Sequence, residues 1–194
     1  MEWVLLGVVV LLLLWLVVVY NRMVALRQTV GQAWSDIEVQ LKQRHDLIPN
    51  LVEVVKGYAQ QERDVLIQVT EARAGANSVR LTPADLSDPA KVQAFNEAQS
   101  RVSQAIIPLQ RLQEAYPDLK SNANFMALQD QLEGSENRIN TSRQDYNAAV
   151  QEYNTTIRTF PDAIGAKIFH GAKPKVPFEA SAGAQDAPKI DMTN

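Results

Sequence analysis

From Trp3 to Tyr20 the chain is apolar without interruption, Gly7 included, and Glu2 is the only charge before Arg22. As a helix rising 1.5 Å per residue, this run would extend about 27 Å, close to the hydrocarbon thickness of a bilayer. Valine-rich stretches are poor helix formers in water. Lipid, however, obliges every backbone N–H and C=O to bond within the segment, so helix is the expected form. Trp3 and Tyr20 bracket the run where amphipathic rings favour the headgroup boundary.

A cleaved signal peptide fits less well. No Lys or Arg precedes the core, the core is longer than the roughly 7–15 residues usual for such signals, and no small-x-small site follows. Residues 1–21 therefore read as an uncleaved anchor, with residues 3–20 in the lipid bilayer. Arg22 and Arg27 follow the run, so the positive-inside rule places the remaining chain in the cytoplasm and the N-terminus outside.

Behind the anchor the pattern takes on helical period. Met23, Leu26, Val30, Trp34, Ile37 and Leu41 fall at steps of three and four, opposite Arg27, Gln28, Asp36, Gln40 and Gln43. No breaker separates this stripe from the anchor, so the two read as one rod. A second stripe, Leu51, Val55, Tyr58, Val65, Val69 and Ala72, reads as a helix stacked end to end on the first. A kink or short break is expected at Pro49, which removes a helical hydrogen bond.

Gly75 to Asp88 has turn chemistry, and Asp88-Pro89 reads as an N-cap followed by a first-turn proline. A third helix through Val92, Phe95, Ala98, Val102, Ala105, Leu109 and Leu112 should kink at Pro108 and stop before Pro117. The fourth runs from Asn122 to Phe160, about 60 Å at helical rise. Its stripe is Phe125, Leu128, Leu132, Ser135, Ile139, Ser142, Tyr146, Val150, Tyr153, Ile157 and Phe160. One stripe cannot be buried alone, and no stretch alternates as a strand does. The fold class is therefore all-α, with residues 22–178 forming an antiparallel bundle of about four long helices. Phe178 is expected to dock an extended segment on the bundle, and residues 179–194, small and polar, read as a flexible tail.

With 19 basic and 22 acidic side chains the chain is no polybasic nucleic-acid binder. The absence of cysteine excludes a disulfide scaffold, a Cys-based zinc site, a thiol nucleophile and a lipobox. His45 and His170 lie far apart and belong to no H-E-x-x-H pair. No phosphate-cradling loop and no G-x-S-x-G elbow occur. The expectation is a protein with no metal, no cofactor and no catalytic group.

Polarity inside the fourth stripe is more informative. Ser135, Ser142, Tyr146 and Tyr153 stand where leucine would pack better, and Asn147 and Asn154 follow the tyrosines seven residues apart. Two readings remain open. Either these residues form a hydrogen-bonded layer around a ligand, or the rings pack, the hydroxyls reach the edge and the serines make room for Trp34. Tyr116, Pro117 and Asp118 form a helix stop and a candidate interaction loop.

Taken together, the chain resembles the LemA family. The residues that carry this are Ala33-Trp34-Ser35-Asp36-Ile37-Glu38-Val39-Gln40-Leu41, Arg44 through Tyr58 (RHDLIPNLVEVVKGY) and Glu114 through Lys120 (EAYPDLK). Further on come Glu136-Asn137-Arg138-Ile139, Tyr146-Asn147, Glu152-Tyr153-Asn154 and Thr159-Phe160-Pro161. The family often has a second aromatic after the glycine near Gly171, where this chain has Ala172. The resemblance implies a bacterial single-pass membrane protein with an antiparallel helical bundle and an outward N-terminus. It implies no reaction.

The functional expectation is a non-enzymatic interaction or scaffold module at the cell membrane, with an as yet unidentified protein partner. The alternative is a membrane-tethered sensor whose bundle responds to a ligand or to the state of the membrane. A third class is membrane shaping by a homo-oligomer.

Overall fold

The computed structural model describes residues 1–178, so the expected tail at 179–194 lies outside the described residues. The helices are α1 (Glu2–Tyr58), α2 (Arg63–Ser78), α3 (Pro89–Ala115), a single turn α4 (Pro117–Lys120), α5 (Ala123–Thr156) and α6 (Asp162–His170). A 3-10 turn at Asp85–Ser87 precedes α3, and no strand occurs among the described residues.

α1 is a single helix of 57 residues, about 85 Å long. Its first part is long and apolar enough to cross a membrane. From Val19 onward it buries one face, through Met23, Leu26, Val30, Trp34, Ile37 and Leu41 and on to Ile48, Leu51 and Val55. The rod expected from the sequence is present, and it is longer than expected.

Of the kink or short break expected at Pro49, the break does not occur. The helix runs through the proline, whose ring lies on an exposed face, and Arg73 from α2 bonds the carbonyl that the missing N–H would have used. The chain turns instead after Tyr58, which is exposed, so the second stripe belongs to two helices rather than one. Ala59 to Glu62 makes the turn, and α2 folds back to pack on α3 and on the far half of α1. Pro108 likewise sits inside α3, on its exposed side. The α3 stripe is also rotated from the expected one. Gln99 and Ile106 are buried, whereas Ala98 and Ala105 are half-buried flanks.

α3 starts as foreseen, with the Asp88 carboxylate accepting from the N–H groups of Ala90 and Lys91. α5 likewise starts at Asn122, whose Oδ1 accepts from Phe125 N. α5 ends at Thr156, and Phe160, placed on its stripe by spacing alone, is exposed beyond it.

α1 and α5 form the main pair, and their contacts fix an antiparallel register. Tyr58 faces Asn122 at the start of α5, Gln40 faces Arg138 and Trp34 faces Tyr146, and beyond α5 Arg22 faces Asp162 of α6. The core falls into two apolar clusters. One surrounds Trp34, Phe95 and Tyr146; the other surrounds Leu51, Leu109, Leu119 and Phe125.

Candidate functional site

The polar residues of α5 do hold something, and it is the chain itself. Beyond α6, Gly171 adopts a left-handed conformation (φ 48°, ψ 39°) as the helix C-cap. This is a geometry that glycine enters without the steric cost borne by other residues. Residues 172–178 then run as a strap along the bundle, outside any helix.

Asn147 and Asn154 are seven residues apart, two helical turns, so they share a face and lie about 10.5 Å apart along the axis. Lys175 and Phe178, three residues apart in extended chain, repeat at about 10 Å. The two spacings coincide, and each asparagine grips one strap residue through both of its main-chain groups. Asn154 Nδ2 donates to Lys175 O at 2.7 Å and its Oδ1 accepts from Lys175 N at 2.8 Å. Asn147 Nδ2 donates to Phe178 O at 2.8 Å and its Oδ1 accepts from Phe178 N at 2.7 Å. The side-chain amides thus close the rings that a neighbouring β-strand would close.

Between these grips Val176 N donates to Leu86 O at 2.8 Å, and the Tyr146 hydroxyl donates to Val176 O at 3.1 Å. Pro174 and Pro177 have no N–H to satisfy, so every N–H from residue 174 to 178 is accounted for. Lys175 Nζ donates to Pro83 O at 2.8 Å. Burial, and then Arg27, lower the Lys175 pKa.

Phe178 fills an aromatic cage. It stacks on Trp34 at 6.0 Å between ring centres, meets Tyr146 at 5.1 Å and Phe95 at 6.3 Å, and has the Arg143 guanidinium over its face at 5.5 Å. Burial pushes the Tyr146 hydroxyl pKa up and the Arg143 pKa down. The loop before α3 supplies the far wall. There Asp85 takes bonds from Lys91 Nζ and from Thr82 N and Oγ1, which hold its carboxyl far below the usual carboxylate range. That bracing sets Leu86, buried, under the strap.

A second polar feature lies between the two apolar clusters. Arg44, 2% exposed, donates to Gln99 Oε1 at 2.6 Å, Ser103 Oγ at 2.9 Å and Glu136 Oε1 at 2.8 Å. It ties α1, α3 and α5 together in one layer. Beside it opens a cavity of about 370 Å³ whose lining includes Leu41, Arg44, His45, Arg73, Phe95 and Gln99.

The remaining sequence candidates are scattered. Tyr153 is buried in the core, and Ser135 is buried with its hydroxyl donating to Leu132 O. Ser142 is half-buried. Tyr116 is at the far end of the bundle, where its hydroxyl donates to Glu62 Oε1 at 3.1 Å. Pro117 and Asp118 beside it are exposed.

Arg44, Gln99, Ser103 and Glu136 were not foreseen as a cluster. The signal was present nonetheless: the strict three-four stripe Trp34, Ile37, Leu41, Arg44, Ile48 and Leu51 passes through an arginine. The one in α3 passes through Gln99 in the same way. Among the described residues no group of three or more His, Cys, Asp or Glu is arranged to hold a metal.

A comparison with curated proteins finds no match. The LemA family model matches residues 33–192, most of the chain, and spans both the strap clamp and the Arg44 layer. The chain belongs to the LemA family.

Proposed function

We propose that this protein is a non-enzymatic interaction or scaffold module, a helical bundle anchored in the bacterial cell membrane by residues 3–20 and offering its outer faces to a protein partner. The observation that carries this reading is the continuity of α1. One helix begins in the apolar run and ends as a core element of the bundle, so the platform and its anchor move as one body. With Arg22 and Arg27 following the run, the bundle lies in the cytoplasm and the N-terminus outside.

The test is mild crosslinking in native membranes, with alanine changes on one exposed face at a time. Loss of a specific adduct with the fold intact supports the module; recovery of the solubilised protein alone rejects it. Orientation is read from single cysteines, Glu2→Cys and Ser181→Cys, in this Cys-free chain. Labelling of Glu2→Cys alone by an impermeant thiol reagent in intact cells is the expected result, and labelling of Ser181→Cys alone reverses the topology.

The cavity against the Arg44 layer favours a second reading, a membrane-tethered sensor whose bundle takes up a small molecule there. It requires a ligand whose thermal shift disappears in an Arg44 variant.

A further inference from the structure

We propose that the outer face of α6, together with the corner joining it to α5, lies in the headgroup region of the bilayer that α1 crosses. The bundle is then seated on the membrane rather than held away from it on a stalk. This rests on the anchor reading above.

α6 packs against α1, and Asp162 at its start accepts from Arg22 Nη1 at 2.7 Å, two residues past the apolar run. Nearer the N-terminus, Val19 is 2% exposed, although its neighbours Val17 and Val18 are open. The folded domain therefore overlaps the last turn of the run, and no spacer separates them. A bilayer that takes in the side chains up to Tyr20 must meet α6 as well.

What α6 presents there has the chemistry of an interfacial helix. Gly165 and Ala166, both buried, are its inward side. Ile164 and Ile168, one turn apart, are exposed. At 79% and 68%, Phe160 and Ile168 are the most exposed large apolar side chains described after the run itself. Exposed Arg158 and Lys167 flank them, suited to lipid phosphates. The one acid within α6, Asp162, is already paired by Arg22, so it does not repel an anionic surface. An apolar face rimmed by basic residues and continuous with an apolar span fits a lipid surface better than water.

Three single-cysteine variants of the full chain test this. They are Ile168→Cys, Asp118→Cys at the far end of the bundle, and Val10→Cys within the run. Each carries an environment-sensitive nitrobenzoxadiazole label in vesicles of phosphatidylcholine and phosphatidylglycerol, with lipids doxyl-labelled at shallow or deep acyl positions. All three positions are exposed, so labelling leaves the core intact. The label at position 168 should emit to the blue of that at 118 and be quenched several-fold more, best by the shallow lipid. The label at 10 should be quenched best by the deep lipid. If 10 is quenched and 168 behaves as 118 does, the anchor stands and the seating is wrong. If 10 is not quenched, the anchor reading fails and takes the seating with it. A blue-shifted label at 168 that lipids do not quench means that protein, a second copy or a partner, covers the face, and this also overturns the proposal.

Discussion

Arg73 Nε on α2 donates to the main-chain carbonyl of His45 on α1 at 3.0 Å, and that carbonyl is the one Pro49 leaves without a helical donor. A proline inside a helix deprives residue i−4 of its partner. Here a neighbouring helix supplies the missing bond, and the same contact fastens α2 to α1. Arg73→Met, which keeps the apolar stem, should therefore cost about 1 kcal/mol. In a Pro49→Ala background, where residue 49 regains its N–H, the same change should cost close to nothing. A double-mutant cycle by denaturant unfolding in detergent reads the difference. Equal costs in both backgrounds would show that Arg73 acts only through its packing.

The asparagine grips make a distinct prediction for the strap. Each Asn147 or Asn154 side chain both donates and accepts, so aspartate, which only accepts, would set a carboxylate oxygen against the strap carbonyl. Asn147→Asp should free the strap at least as fully as Asn147→Ala. With two bonds lost at about 0.5–1.5 kcal/mol each, amide exchange at Val176 and Phe178 should accelerate by about ten-fold or more. Hydrogen exchange that stays slow in both variants would place the hold on the strap in the Phe178 cage alone.

How much of this was legible in the sequence depends on whether the signal was periodic. The stripes of α1 and α5 and the docking of Phe178 follow from spacing and residue type, because burial of apolar side chains dictates them, and the Asp88 cap follows from the free N–H groups of the first turn of α3. The turn after Tyr58 was not legible, since Gln60-Gln61-Glu62 is compatible with helix and only the packing of α2 on α3 decides against it. That the helix would pass Pro49 without a break was not legible for the complementary reason: the substitute donor, Arg73, lies on another helix. Asn147 and Asn154 were visible as polar residues at heptad spacing. Their partner is a stretch of extended chain, which helical periodicity cannot reveal.

The Arg44 layer predicts asymmetric costs. Arg44→Met leaves Glu136 and Gln99 facing an apolar side chain. Glu136 keeps 29% side-chain exposure and can be partly hydrated, so the loss should be near the low end for a broken buried pair, roughly 3 kcal/mol. Adding Glu136→Leu and Gln99→Leu should recover most of it, because an apolar layer no longer carries an unpaired charge. A triple variant less stable than Arg44→Met alone, by thermal denaturation, would show that the layer contributes net stability.

His45 sets the pH dependence. Burial, and then the Arg73 guanidinium, lower its pKa from 6.5, against the opposing pull of Asp46. The fold thus favours the neutral imidazole over the imidazolium. A base whose pKa is lower in the folded chain than in the unfolded one contributes its stability fully above the unfolded value, about pH 6.5, and loses it as the pH falls toward the folded one. Melting temperature should be flat from about pH 8 to 7 and decline below about pH 6.5, and His45→Gln should flatten that decline. The variant keeps the main-chain carbonyl that Arg73 bonds, so it leaves the α1–α2 contact in place. Asp46, lowered first by its hydrogen bond from Lys42, acts with the same sign but only below about pH 4, outside this window. Identical slopes for the wild-type chain and His45→Gln between about pH 7 and 5.5 would assign the decline to other groups.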